Sequence, residues 1–360
     1  MMSLSGISEL EKHAQHFSPT LPKTPAGRFA SVIVLRETKS YAIFTTEGGE
    51  QQDIEQTQAG LANRERIDRL VMFKRKQVAP ERRTGKALLR QYGVLPYATL
   101  TENNRVLRVV YGAVDIAKTQ EEFKDRRGAK VDPHEDCYLI AGMCAHCVDC
   151  LTYGFAAVEG QGARKARVLT DSCFSVRPYP LITERKKFNY IDEQTHTSGT
   201  ITEFDHTKPH TFFPSVVTTV DLTLDEFVYV LNNLLRTSRY GKEVAHLGLM
   251  ENHILAIALS DVELFSNLEF SQAFYDAFKE SAQQGSTSIR MEFGLSLHDF
   301  LDHEKQVINN LVANLNGRCM FIQGDDLKAL LEQAMALNQD QDRLTTFLKE
   351  LNRQAASFTV

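Results

Sequence analysis

Four of the six cysteines in this 360-residue chain, Cys137, Cys144, Cys147 and Cys150, fall within fourteen positions. The last three make C-x2-C-x2-C, a spacing tight enough for one turn of backbone to aim several sulfurs at one point. Ordinary packing needs no such arrangement, whereas a soft metal ion does. Thiolates bind zinc at about 2.3 Å, and four of them close a tetrahedral structural site. His134 and His146 stand in reserve if one thiol points elsewhere. The same spacing opens the bacterial ferredoxin run, an iron–sulfur alternative, but that run continues x3-C-P and position 154 is glycine. The P-C-x-x-C of zinc deaminases is absent, since Met143 precedes Cys144. Four protein ligands leave no open position, so the expected role is structural. His206 and His210 form H-x3-H, but Pro209 breaks the helix such a pair needs, and they read as loop histidines. Cys173, in an apolar run, and Cys319, beside Met320 and Phe321, read as core residues.

Three further segments carry groups that hold phosphates. The first contains Lys74, Arg75 and Lys76, then Arg82, Arg83, Gly85 and Lys86. The second runs from Gly154 to Arg167 with Gly160, Gly162, Arg164, Lys165 and Arg167. The third contains Arg236, Arg239, Tyr240, Gly241 and Lys242, running on to Gly248. Glycines let backbone N–H groups approach an anion, arginine forks bind phosphate bidentately, and Tyr240 offers a ring for a base. No G-x4-G-K-[ST] phosphate loop is present. Singly, each segment also fits a solvated basic loop; three around one small sheet fit a single-stranded RNA platform.

Stepping along the chain, residues 1–28 carry Pro19, Pro22 and Pro25 and read as a lead-in. Phe29 to Leu35 and Tyr41 to Thr45 are β-branched apolar runs that suggest a hairpin turning at Glu37 to Ser40. Residues 101–155 look like a small module built around the metal. Val168 to Val176 is a plausible central strand, and Phe213 to Leu222 is another. Thr223 and Glu226 form a capping box, followed by Phe227, Val230, Leu231, Leu234 and Leu235 at helical spacing. His253 to Leu259 closes a β-α-β unit, half of a ferredoxin-like fold. Beyond Asp261 the pattern is helical, over Phe270–Ser281, Leu297–Leu315, Leu327–Leu337 and Leu344–Asn352.

Composition bounds the class. With 42% apolar and 24% charged residues the chain is an ordinary globular one. No apolar run approaches the roughly 20 residues a membrane helix needs, and Met1 to Ser8 lacks a secretory pattern, so a cytosolic protein is expected. Clustered cysteines in that setting favour metal over disulfides. The formal charge of −5 hides an asymmetry. Arg64 to Arg90 holds ten Lys or Arg against three acids, whereas Asp261 to Val360 holds fifteen acids against eight bases. A polyanion feels the local field, over a Debye length of about 10 Å.

Several of these stretches resemble one family. Cys147 to Phe155 with Arg164 to Ser175 is similar to the glycine-then-basic-strand signature of the repeat-associated (RAMP) proteins of CRISPR systems. Lys208 to Ser215 (KPHTFFPS), Leu234 to Gly241 (LLRTSRYG) and Phe73 to Arg82 (FKRKQVAPER) resemble the backbone subunit of the type I-D CRISPR effector complex (Cascade), the Cas-seven-type (Csc-two) family. The similarity runs from about residue 28 to 280. It implies an α+β fold with an RRM-like (ferredoxin-like) core and with lid, zinc-binding and helical insertion modules. The expected division is 1–45 (first core strands), 46–100 (basic lid), 101–155 (zinc module), 156–260 (core) and 261–360 (acidic helices). It further implies a non-catalytic, cytoplasmic prokaryotic protein whose copies line up along a CRISPR RNA (crRNA) and hold it for pairing with target DNA. The large, cap and guide-processing subunits of an antiviral effector would be its other partners, with no membrane. A backbone subunit that also cuts the target strand through a metal, using Asp171, Asp205 or Asp53, is the alternative from a different class; a zinc-stabilised interaction protein is a third.

Overall fold

A computed structural model describes residues 3–46, 51–103, 105–112, 115–122, 128–134, 136–138, 143–156, 163–191, 198–283, 291–292 and 294–359. Gly160 and Gly162 of the second basic segment lie outside the described residues. Helices and strands are mixed, as an α+β chain requires. No helix among the described residues is long and apolar enough to cross a membrane.

Five strands form the central antiparallel sheet: β1 (Phe29–Thr38), β2 (Val168–Thr170), β3 (Phe212–Val220), β4 (Met250–Ser260) and β5 (Cys319–Ile322). Their order across the sheet is β5-β4-β1-β3-β2. The expected hairpin between Phe29–Leu35 and Tyr41–Thr45 does not form. β1 instead pairs with β3 on one edge and with β4 on the other, and Ala42 makes only an isolated bridge to Thr207. The reason lies in the composition of β1: nine of its ten residues are buried, and an unbroken apolar run needs cover on both faces and both edges. The expected strand over Val168–Val176 breaks at Asp171–Ser172. Its second half, Cys173–Phe174, joins a separate sheet with Arg66–Met72 and Ile54–Gln58.

Alternate residues of β1 feed two cores. Val32 and Val34 face helix α1 (Lys74–Gln91) and helix α3 (Leu224–Arg236), which follow β1 and β3. The same core takes in helix α2 (Val148–Tyr153), α6 (Asp325–Gln339) and α7 (Gln341–Thr359). Ile33 and Leu35 face α4 (Asn267–Gln283) and α5 (Leu297–Val312) across a cluster of Phe270, Phe274, Phe278 and Phe300, with centroids 4.9–5.8 Å apart. Such tilted and edge-on aromatic pairs add to area burial. The sheet is therefore a middle layer with helices on both faces.

The basic stretch expected as a lid is helical. α1 crosses α3 closely at Gly85, where a Cβ would stand 2.4 Å from Tyr229 Oη and 2.5 Å from Asn233 Nδ2. Only glycine permits that approach. α3 starts with the capping box read from the sequence: Thr223 Oγ1 accepts from Glu226 N–H, and Glu226 Oε2 accepts from Thr223 N–H. Residues 97–134 add a three-stranded sheet (Tyr97–Glu102, Arg105–Tyr111, Ala129–His134), and Thr183–Ile191 pairs with Ser198–Thr207 as a long hairpin. That hairpin has too polar a sequence for the periodicity reading to find. The C-terminal acidic stretch is not separate from the core, because β5 extends the central sheet and α6 and α7 seal its α1–α3 side.

Candidate metal centre and basic surfaces

Cys137 follows the strand Ala129–His134, Cys144 lies before a turn in which Ala145 adopts φ +63°, and Cys147 caps α2, one turn before Cys150. This places all four sulfurs within 4.8 Å of one another, fully buried or nearly so. Cys137 Sγ lies 3.5 Å from Cys150 Sγ and 3.9 Å from Cys147 Sγ, and Cys144 Sγ lies 3.9 Å from Cys150 Sγ. An ion bound at about 2.3 Å to four tetrahedral sulfurs requires S···S separations of about 3.8 Å. The observed spacings fit.

Electrostatics point the same way. The backbone N–H groups of Cys144, His146, Cys147 and Cys150 each donate to a neighbouring cysteine sulfur, at 3.2–3.4 Å. Lys86 Nζ donates to Cys137 O at 2.6 Å and to Cys137 Sγ at 3.5 Å. Hydrogen bonds from Cys144, Cys147 and Cys150 hold the Cys137 thiol well below the usual range, while the same contacts and burial push Cys147 well above it. A cation at the centre lets all four sulfurs ionise. His134 is elsewhere: its Nε2 meets Thr99 Oγ1 at 3.0 Å and its ring stacks on Tyr97. His146 is not grouped with the sulfurs either. Cys173 is a core thiol, with burial pushing it up to about 11, and Cys319 is half-buried on β5.

The residues expected to bind phosphate divide into two groups. Arg82 Nη2 donates to buried Asp149 Oδ1 at 2.6 Å, and Lys86 Nζ approaches the same oxygen at 3.6 Å. Arg167 grips Glu226 with both guanidinium nitrogens and also donates to Leu151 O and Asp221 O. Tyr240 is fully buried, not stacked at a surface. Its hydroxyl contacts Glu81, Arg36 and Asn252, and its ring lies under the Arg36 guanidinium. These four side chains are engaged within the fold, Lys86 and Tyr240 buried and Arg82 and Arg167 partly exposed. Arg164 is half-buried over the Phe358 ring. By contrast Lys74, Arg75, Arg83, Lys165, Arg236 and Arg239 are exposed, and Lys76 and Lys242 are half-buried.

The segments also differ in place. The first and third meet: Thr84 Oγ1 and Thr237 Oγ1 are 2.8 Å apart, and Glu81 reaches Tyr240. The second is tied through Arg167 to the first turn of α3, while Arg236 ends that helix. Thirteen residues of helix separate those ends, about 20 Å. The first and second segments both reach α2, Arg82 through Asp149 and Arg167 through Leu151 O, whereas the second and third stand at opposite ends of α3. One feature escaped sequence reasoning. α1 begins at Phe73, exposed and without a side-chain cap, and its first turn holds Lys74, Arg75 and Lys76 and no acid. Cations at the positive end of a helix dipole are electrostatically unfavourable, and an anion there is stabilised. The signal was in the sequence, but only as part of a helix. Asp171, Asp205 and Asp53 belong to no metal-type cluster among the described residues, and Asp205 is engaged by Arg185 and Tyr179.

The family model for Csc2 (Csc2 Crispr) matches residues 16–348. The crystal structure of Csc2 from Thermofilum pendens superposes with a TM-score of 0.54 at 18% identity, covering 98% of this chain and 96% of that one. A chain of a CRISPR RNA-guided surveillance complex, pre-nicking, aligns at TM-score 0.45 and 13% identity over 86% of this chain and 100% of its own. A chain of a further CRISPR RNA-guided surveillance complex aligns at TM-score 0.45 and 12% identity, over 84% and 92%. Among curated proteins no sequence matches.

Proposed function

The chain belongs to the Csc2 CRISPR family, and from that premise we propose that it is a crRNA-binding backbone subunit of a type I-D effector, in which several copies line one guide and present it to target DNA. The observation that carries this reading is the start of α1. A helix start with Lys74, Arg75 and Lys76, beside exposed Phe73, offers a phosphate site and a ring for a base. The neighbouring segment adds Arg239 and Lys242 and meets α1 where Thr237 Oγ1 and Thr84 Oγ1 lie 2.8 Å apart. Arg236 ends α3 beside that segment, whereas Lys165 belongs to the segment held at the other end of the helix. Binding is centred on the start of α1, not on the sheet, whose faces are covered by helices.

The core order supports a ferredoxin-like reading. Counting β1, β2, β3 and β4 as the four strands gives 4-1-3-2, with α1 and α3 together on one face. The all-sulfur, closed donor set supports structural zinc held by Cys137, Cys144, Cys147 and Cys150, which ties the 101–155 module to α1 through Lys86. In this reading sequence is recognised by base pairing while the protein holds backbone and shape, without catalysis by this subunit. Large, cap and guide-processing subunits complete the assembly in a prokaryotic cytoplasm. Purification of the native complex tests the proposal through its absorbance ratio at 260 over 280 nm and sequencing of the extracted nucleic acid. Repeat-flanked RNA is the expected result; nucleic-acid-free protein overturns it.

A further inference from the structure

Glu37 on β1 and Glu251 on β4 are direct cross-strand partners. Like charges in that position repel, and Glu37 is buried, so the pair needs a cation to be tolerated. Lys39 supplies one, its Nζ lying 3.1 Å from Glu37 Oε2 and 3.2 Å from Glu251 Oε2. The surroundings are those of a coordination site. His253, also on β4, brings Nε2 to 2.8 Å from Glu37 Oε2 and 3.9 Å from Glu251 Oε2. One ligand atom from each of Glu37, Glu251 and His253 lies within 4.8 Å of the others. The second oxygen of Glu37 is oriented from behind by His210 Nδ1, at 2.7 Å. A carboxylate so held by an outer imidazole is the usual support for a ligating group.

We propose that Glu37, Glu251 and His253 form a second cation site, apart from the cysteine cluster, that takes a divalent transition-metal ion in place of the Lys39 ammonium. Two carboxylates and one imidazole suit manganese or zinc. A doubly charged ion balances both glutamates, which a single ammonium does not. Lys39 is 37% exposed and Glu251 54% exposed, so the lysine can swing to solvent and Glu251 can close on the ion. Three protein donors leave at least one coordination position open, unlike the closed four-sulfur set. The inference is independent of the RNA reading, since none of these residues belongs to the basic segments.

The test is calorimetric titration of Mn2+ into the full chain with its cysteine site kept loaded with zinc. Parent protein should bind one Mn2+ saturably, and Lys39→Ala should bind it more tightly, because the competing ammonium is gone. Glu251→Gln, at the rim, and His253→Gln should each abolish saturable binding. His210→Gly, which suits the positive φ of that position, should weaken it by about 10- to 100-fold through loss of the outer support. Thermal unfolding in Mn2+ gives a second readout, with a rise in Tm for Lys39→Ala that Glu251→Gln lacks. Absence of saturable binding in both parent and Lys39→Ala, or binding indifferent to Glu251→Gln and His253→Gln, overturns the site.

Discussion

Replacing Lys74, Arg75 and Lys76 together with alanine should weaken RNA binding and flatten its dependence on salt. The magnitude follows from the structure. All three lie in the first turn of α1, two exposed and one half-buried, so at most three phosphate contacts are lost. Each contact with single-stranded nucleic acid contributes about 0.7 to the slope of log K against log salt. The variant's slope should therefore be less negative by about 2. Over a fourfold rise in salt, the affinity gap between parent and variant should shrink by roughly 16-fold. Fluorescence anisotropy with a labelled guide, titrated at several salt concentrations, measures both quantities. Phe73→Ala separates charge from stacking: it should cost about 1–3 kcal/mol at every salt concentration and leave the slope unchanged. A triple variant with the parent's affinity and slope would remove the start of α1 from the interface and take with it the observation on which the functional reading rests.

Two further outcomes follow from the buried groups. Metal analysis of purified protein should find at least one zinc per chain, lost in Cys150→Ser, and no absorption band near the roughly 400 nm region of iron–sulfur chromophores; that variant or chelation should lower Tm, because binding to a site absent from the unfolded chain is folding free energy. Arg167→Ala should destabilise the protein by about 3 kcal/mol, since it leaves Glu226 buried without its cation, yet should not change the salt slope of RNA binding. Denaturant unfolding and the anisotropy titration check the two halves of that statement, and an altered slope with intact stability would return Arg167 to the RNA surface.

Elements defined by local chemistry were readable before any coordinates. The capping box at Thr223 and Glu226, the apolar stripe of α3 and the strand before it are set by contacts between residues a few positions apart. So is most of the thiol cluster, where three of four donors share one turn and its helix cap. The hairpin at residue 29 was misread because nothing local distinguishes a strand that folds back from one that waits for partners some 180 to 230 positions away. The helix over the basic stretch was not legible because Lys and Arg are common both on solvated loops and on helices, and Pro80 within α1 lowers the helical signal.

Residue types and spacing by themselves determined that this chain gathers four thiols, that it carries a β-α-β unit, and that its cationic charge sits apart from its acidic end. Only the tertiary structure decided how the side chains of the basic segments are used. Arg82, Lys86, Arg167 and Tyr240 turn inward to Asp149, Cys137, Glu226 and Glu81, partners distant in sequence, whereas Lys74, Arg75 and Arg239 lie exposed. The physical reason is that a buried carboxylate must recruit a cation or a hydrogen-bond donor wherever the fold brings one near, and that demand is invisible until the chain has closed on itself. The same closure set Glu37 against Glu251, a repulsion no sequence window could reveal.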